Sequence, residues 1–284
     1  MFFTIIIATC DRPDRLKKSL DAIRIAIQAS NESHRVIVID NGVKGQTQKM
    51  VAQFASQIPF EVKYFKSEPR NKAKALNLGI GEVRSGWLAF TDDDVLPDSK
   101  WLVNAAHYAS GSEVNIFGGR VISEEPNDTF PSWIKSGKSG CIPMGPAIVR
   151  YAPMPDSGLL DSKMQMPLGA NVFIKKSIFD QYGKYDEELW KKCGKAALGS
   201  EDAEFAIRVR SKGENIGYSK DALVVHALDI SRASLRHHLR WSFRMGFREP
   251  ILFPEAVSQT SVFYLAWAGM KSLLPILPEQ HATG

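Results

Sequence analysis

The 284-residue chain is 44% hydrophobic and 24% charged, an ordinary globular balance with ample core material. This composition excludes disorder, collagen and coiled coil as the main architecture. Its 36 basic and 31 acidic residues leave a formal charge of +5, too mild to imply nucleic acid unless concentrated in one place. Cys10, Cys141 and Cys193 are widely spaced and odd in number, which fits neither a disulfide scaffold nor a metal knuckle and points to a reducing cytoplasm.

The opening run Met1-Phe-Phe-Thr-Ile-Ile-Ile-Ala lacks a basic flank and stops at Asp11-Arg12, so a buried first strand is expected rather than a signal peptide. Further strands are expected at Val36–Asp40, Glu61–Phe65 and Trp87–Phe90. Between them lie helical stretches. In Pro13–Ala29 the residues Leu16, Leu20, Ile23 and Ile27 recur at helical spacing behind a proline that suits a first turn; Gln46–Gln57 and Lys72–Val83 are less regular. Near-continuous apolar strands alternating with helices imply an α/β fold with a mostly parallel sheet covered on both faces. Ligands bind such sheets beyond the carboxyl ends of the strands. That focuses attention on Thr9-Cys10-Asp11-Arg12, Asp40-Asn41-Gly42 and Thr91-Asp92-Asp93-Asp94.

From about 112 to 228 the pattern changes. Strands are expected at Val114–Ile122, Gly169–Ile174 and Ala222–His226, with a Pro/Gly-rich loop over 124–167 and a helix from Ser200 to Lys212. Residues 1–111 read as a nucleotide-binding half and 112–228 as an acceptor-facing half of one domain; 229–284 form a basic helix and an apolar tail. Arg232, Arg236, Arg240, Arg244 and Arg248 recur every four residues, with Leu235, Leu239, Phe243 and Phe247 alongside. Either this helix packs on the domain with a solvated face, or it meets anionic lipid or an acceptor's diphosphate, continued by Val262–Leu277. The apolar stretch is shorter than the ~18–20 residues that cross a bilayer, and no aromatic platform accompanies the arginines as nucleic acid would require.

Asp92 and Asp94 alternate along an extended chain, so both can face one ligand while Asp93 faces away. Two carboxylates at a strand end suit Mg²⁺ or Mn²⁺ shared with phosphate oxygens; the plainer alternative is an acidic turn before Pro97. Ser200-Glu201-Asp202 opens a helix. Ser200 is a natural N-cap and the acids complement the dipole, but a carboxylate kept ionised there can also accept a proton from a sugar hydroxyl. Asp40 ends a strand ahead of an Asn-Gly turn and can accept hydrogen bonds from a base or ribose. Lys72, at a helix start, can meet phosphate, and His226 is either a metal ligand or a structural histidine.

Residues 3–228 resemble the family 2 glycosyltransferases of GT-A fold. The resemblance rests on Ile7-Ala-Thr-Cys-Asp-Arg-Pro, Val38-Ile-Asp-Asn-Gly, Asn71-Lys-Ala-Lys-Ala-Leu-Asn-Leu-Gly and Phe90-Thr-Asp-Asp-Asp. It continues through Phe117-Gly-Gly-Arg, Leu168-Gly-Ala-Asn, Tyr182-Gly-Lys-Tyr-Asp-Glu, Gly199-Ser-Glu-Asp-Ala-Glu-Phe and Val225-His, in the family's order. It implies an inverting transfer from a nucleoside-diphosphate sugar, UDP-sugar favoured, to a hydroxyl of a glycan or lipid-linked glycan in bacterial surface polysaccharide or glycolipid synthesis. It also implies a cytoplasmic enzyme, peripheral on the inner face of the membrane. Asp40 and Asp11 would sit with the base and the backbone at Thr9 beside it, Asp92 with ribose or a metal-bound water, and Asp93 and Lys72 with the donor. Asp94 would hold the Mn²⁺ or Mg²⁺ with His226 near it, Asn171 would lie near donor sugar or acceptor, and Asp202 would be the general base with Glu201 shaping the pocket. Asp11 stands for the commoner Asn and Ser200 for the usual Gly. Trp133 and Trp190 are candidates for stacking on sugar rings. A nucleotidyltransferase would need a glycine-rich loop after the first strand, which is missing, and a non-catalytic glycan- or membrane-binding member would tolerate loss of the acids, which are intact.

Overall fold

A computed structural model describes residues 1–124, 149–160, 166–189, 191, 200–234, 236, 237, 240 and 241. The chain divides into two compact units. The first comprises Met1–Ile122, Arg150–Glu188 and Gly199–Ala227, the second Ser123–Val149, Leu189–Leu198 and Leu228–Gly284.

The first unit begins with β1 (Phe3–Thr9), α1 (Pro13–Ser30), β2 (Arg35–Asp40), α2 (Gln46–Ala55), β3 (Glu61–Lys66), α3 (Lys72–Gly81) and β4 (Trp87–Asp92). β1 pairs in parallel with β2 and β4, and β2 with β3. Every residue of β1 is buried, because helices cover both faces and leave no side to solvent. β3, at the sheet edge, is only partly covered. α1 turns Leu16, Leu20, Ile23 and Ile27 inward as its spacing requires, with Pro13 at its start and Asn31 in the left-handed region ending it.

The rest of the unit is antiparallel. β5 (Val95–Pro97) and α4 (Trp101–Gly111) lead to β6 (Ile116–Ser123), β7 (Gly158–Leu159), β8 (Asn171–Lys175), α5 (Lys176–Tyr182), α6 (Glu201–Arg210) and β9 (Ile216–His226). The strand order is β3-β2-β1-β4-β8-β6-β9-β5, with β7 on β9. β8 runs antiparallel to β4 and β6, and β5 antiparallel to β9. The sheet therefore joins a parallel half to an antiparallel half at β4. β9 starts six residues before the expected Ala222, because Ile216-Gly-Tyr-Ser looks like a turn yet is buried, with Tyr218 and Gly217 paired to β7. β5, α4, α5 and β7 were not anticipated. α4 opens where Asp98 accepts from Lys100 N (2.8 Å) and Trp101 N bonds Asp98 O (2.9 Å), behind a strand of only three residues.

Under the strand ends lies a ring cluster. Phe90 meets Phe179 and Tyr185 edge-on at 5.8 and 5.9 Å, and Phe205 of α6 stacks on Phe179 at 4.7 Å. Each such pair contributes roughly 0.5–1.5 kcal/mol beyond its burial. The cluster seats the start of α6 against β4.

In the second unit, Asp229 caps a short 3-10 turn (Ile230–Arg232), accepting from Ser231 N at 3.0 Å and Ser231 Oγ at 2.6 Å. Arg236 and Arg240 are exposed and helical. Arg244, Arg248, the apolar row at Leu235, Leu239, Phe243 and Phe247, the tail Val262–Leu277, and Trp133, Trp190, Cys141 and Cys193 lie outside the described residues. No described helix is long and apolar enough to cross a membrane.

Candidate active site

The carboxyl ends of β2, β1 and β4 are in register: Asp40 pairs with Thr9, and Ala8 with Asp92. On the β2 side, Asp40 is buried. Its Oδ2 accepts from Tyr64 OH (2.8 Å) and Lys66 Nζ (2.9 Å), and its Oδ1 from Gly42 N (2.8 Å). Asp40 thus builds the loop wall and is engaged by the protein, where a contact to a base was expected. Asp11 has φ +55, a conformation that Asn and Asp tolerate best. Its Oδ1 accepts from Val43 N (2.8 Å) and Lys44 N (2.7 Å), bonds that, with Lys44 first, hold its carboxyl below the usual range. Asp replaces Asn here at no cost in geometry, since both offer that oxygen. Gly42 is required: a Cβ there would meet the Asp11 backbone nitrogen at 2.6 Å as well as Asp11 Oδ1.

At the end of β4, Asp92 is the last strand residue and Asp93 and Asp94 form a turn into β5. The strand alternation expected for Asp92 and Asp94 therefore stops at Asp92. Asp93 is fully buried, accepting from Thr9 Oγ1 (2.6 Å) and ion-paired with Arg12 (2.6 Å). Burial pushes it up to about 6 against the pull of Arg12. Asp93 and the Thr9 hydroxyl are therefore engaged inside the protein, where Asp93 was expected with the donor; the contact expected of Thr9 was through its backbone. Asp94 is 5% exposed, with Oδ2 held by Arg12 (3.0 Å) and 3.6 Å from Arg15, and Oδ1 3.5 Å from His226 Nε2. Arg12 and Arg15, missed as site residues, frame the carboxylates from the entry to α1. The only local signal was position: Arg12 ends the Thr9-Cys10-Asp11-Arg12 stretch at the carboxyl end of β1, and Arg15 lies in the first turn of α1.

The facing edge is the start of α6. Asp202 Oδ2 accepts from Gly169 N at 2.7 Å and Oδ1 from Ala203 N at 2.8 Å. Ser200 makes no side-chain cap, so its expected capping role passes to this carboxylate. Gly169 admits the close approach, since a Cβ would lie 3.1 Å from Asp202 Oδ2. Glu201 is buried, and burial raises its pKa against Lys72, whose Nζ is 4.0 Å away. Lys72 donates to Asp92 Oδ1 at 2.6 Å. Burial acts against ionisation of both partners and their mutual attraction outweighs it, lowering Asp92 and raising Lys72. Lys72, expected on phosphate, is thus already bound between carboxylates. Tyr185 packs beneath, its phenol raised by burial and by the Asp202 and Glu201 charges.

Asn171 departs furthest from expectation. It is completely buried, with Oδ1 accepting from Trp101 Nε1 (2.9 Å) and Nδ2 donating to Ala222 O (2.7 Å) and Arg120 O (3.0 Å). Its side chain stitches β8 to β6, β9 and α4, and both of its amide hydrogens are spent within the protein. The helix that carries Trp101 was not anticipated, so this partner was not legible.

Among the described residues no group of three His, Cys, Asp or Glu gathers round one point. Asp94 and His226 are the pair on offer. His226 Nδ1 faces Ala227 O at 2.9 Å and donates to it, which points Nε2 toward Asp94. One carboxylate and one imidazole nitrogen, completed by phosphate oxygens and water, match the ligand types that Mn²⁺ or Mg²⁺ takes beside a diphosphate.

Comparison with known proteins agrees with this architecture. A family described as Glycosyl transferase family 2 matches residues 4–183. Glycosyltransferase AglE of Haloferax volcanii is 22% identical over 98% of this chain and 83% of its own. The Glucosyl-dolichyl phosphate glucuronosyltransferase of the same organism is 24% identical over 68% of this chain and 59% of its own. Among solved structures, the mannosyltransferase PcManGT from Pyrobaculum calidifontis, in complex with GDP-Man and Mn²⁺, superposes with a TM-score of 0.60 at 17% identity, covering 95% of this chain and 74% of that one. S. aureus TarS 1-349 in complex with UDP-GlcNAc superposes at 0.59 with 12% identity, covering 96% and 72%.

Proposed function

The chain belongs to glycosyltransferase family 2, and from that membership we propose that it transfers a sugar from a nucleoside-diphosphate donor to an acceptor hydroxyl in one inverting displacement, with Asp202 as general base. One observation carries the assignment: Asp202 is fixed by two backbone N–H groups at a helix start, beside the cluster that ends β4. Two neutral donors orient its carboxylate, and among the described residues no cation forms an ion pair with it, so it keeps lone pairs for a proton. Asp202 takes that proton as the hydroxyl attacks the anomeric carbon opposite the leaving group, so the configuration inverts. Glu201 closes the pocket behind it.

Asp94 and His226 would hold a Mn²⁺ or Mg²⁺, which when bound supplies Lewis-acid stabilisation of the departing diphosphate. Arg12 and Arg15 add permanent positive charge beside Asp94, where that negative charge gathers. Asp11 and the Asp40 loop shape the base site, Asp40 through the bonds that hold the loop. A UDP-sugar is the favoured donor, supported by TarS with UDP-GlcNAc; PcManGT with GDP-Man makes a GDP-sugar the first competitor.

For the acceptor we put first a lipid-linked glycan met at the cytoplasmic face of a membrane. The Haloferax relative named for a glucosyl-dolichyl phosphate supports it, as do the exposed Arg236 and Arg240. In this reading residues 1–228 are the catalytic domain and 229–284 the extension that meets the lipid.

Calorimetric titration of UDP, GDP and dTDP, with Mn²⁺ and then with chelator, tests the donor site. Metal-dependent binding of one nucleotide supports the proposal. Binding of none of the three sinks it in favour of a non-catalytic glycan- or membrane-binding member.

A further inference from the structure

Lys72 sits where a helix least favours a cation. It is the first residue of α3, whose first turn holds no acid, so the positive end of the helix dipole faces an ammonium. A residue that breaks a local rule needs a compensating gain. Here the gain is two carboxylates from two different elements: Asp92 Oδ1 of β4 at 2.6 Å and Glu201 Oε1 of α6 at 4.0 Å.

The base of the side chain is fixed as well. Asn71 caps α3 by accepting from Lys74 N (3.0 Å) and donates to Glu187 O (3.3 Å). Asn77, two turns on, donates to Tyr185 O and Glu187 Oε1 (both 2.9 Å) and accepts from Tyr185 N (3.0 Å). These bonds lock α3 to the segment that leads from α5 toward α6. The ammonium is presented from a rigid platform.

We propose that Lys72 is a positioning residue: it ties Asp92 at the donor end of the sheet to Glu201 at the start of α6, and so sets where Asp202 stands relative to the donor. This inference rests on the transfer reading above and deepens it. The competing role is direct contact with the donor's phosphates.

The test uses the full chain as wild type and as Lys72→Met, Lys72→Arg, Glu201→Gln and the Lys72→Met/Glu201→Gln double variant. Three quantities are read: melting temperature without ligand, affinity for UDP and GDP with Mn²⁺, and release of nucleoside diphosphate from UDP-GlcNAc, UDP-glucose and GDP-mannose. Misplacing a reacting group by an ångström costs about a hundredfold. Lys72→Met is therefore expected to lose kcat by about 30–100-fold with nucleotide affinity within about threefold. Lys72→Arg should restore most of the rate, and the double variant should be little slower than Lys72→Met alone. A loss of nucleotide affinity of about tenfold or more at unchanged kcat would overturn the proposal in favour of a phosphate contact. Additive losses in the double variant would overturn it too. If Lys72→Met does not fold, Lys72→Gln replaces it in the same cycle with Glu201→Gln, with additivity again the overturning result. If the wild type binds no nucleotide and turns over no donor, the transfer reading fails. The melting-temperature cycle then still decides the bridge, which zero coupling between Lys72 and Glu201 overturns.

Discussion

Two acid clusters face each other across this site and are stabilised in opposite ways. The Asp92-Asp93-Asp94 turn is balanced by side-chain cations: Lys72 on Asp92, Arg12 on Asp93 and Asp94, and Arg15 on Asp94. Asp202 is balanced by backbone, with the N–H groups of Gly169 and Ala203 on its two oxygens. Side-chain cations can swing away and exchange for a metal ion or share a phosphate. Backbone amides cannot move without moving the fold. The first arrangement suits a cluster that must accept a charged ligand and release it each turnover, and the second suits a base that must return to the same position.

The sharpest way to break the comparison is at the backbone-held acid. Asp202→Asn keeps the shape and the oxygen that caps Ala203 N, replaces the acceptor toward Gly169 N by an amide NH2, and removes the base. Transfer should fall by about 10³-fold, within the range general bases contribute, while UDP or GDP affinity stays at the wild-type value. Steady-state turnover alongside calorimetry checks both, and wild-type turnover would remove Asp202 from the mechanism.

The cation-balanced cluster should respond the other way. Asp94→Ala deletes the carboxylate shared by Arg12, Arg15 and His226. Nucleotide affinity should then become insensitive to Mn²⁺, and turnover should drop by about 10²-fold, the worth of a few kcal/mol of lost charge stabilisation. Metal-sensitive binding retained in Asp94→Ala would place the ion elsewhere.

A gentler change probes how rigidly the base is held. In Gly169→Ala the new methyl would stand 3.1 Å from Asp202 Oδ2 and 3.4 Å from Asp202 Cβ, tight enough to shift the carboxylate by a few tenths of an ångström. A loss of about tenfold in kcat with nucleotide affinity unchanged is expected. An unchanged kcat would show that the Gly169 N–H bond does not set the base.

The parallel half was legible because its strands are apolar along their length and its helices repeat at fixed spacing, signals carried within a dozen residues. The antiparallel half was read less completely. β5 has three residues, β7 two, and the buried start of β9 is written in turn-like residues, so pairing partners far along the chain decide them. The same limit ran through the site. Asp92, Asp94, Glu201, Asp202 and His226 could be singled out because chemistry-bearing residues at strand and helix ends are local facts. That Asn171 is spent on Trp101, Arg120 and Ala222, or that Arg12 spans Asp93 and Asp94, depends on contacts between residues 51 to 82 positions apart, which no local pattern encodes.

Away from both clusters, His34 supplies the contrasting case of a buried titratable side chain kept neutral. It is 3% exposed, with Nδ1 accepting from Phe3 N at 3.0 Å and Nε2 against Ser30 Oγ at 3.0 Å. Burial pushes it down to about 4. Because its folded value lies below the unfolded one, the unfolded chain binds the extra proton first as pH falls. The stability this neutral ring contributes is thus complete above about pH 6.5 and is lost as pH drops toward 4. Protonating Nδ1 would also turn the Phe3 acceptor into a donor. The gap in unfolding free energy between wild type and His34→Gln should accordingly shrink by about 2–3 kcal/mol between pH 7 and pH 4, with titrating carboxylates cancelling in the difference. Turnover at pH 7 should be the same in both proteins, since His34 lies beside the amino end of β1 and the site at its carboxyl end. Denaturant titrations at several pH values measure the gap, and a constant gap would mean that His34 takes up its proton as readily in the folded chain as in the unfolded one.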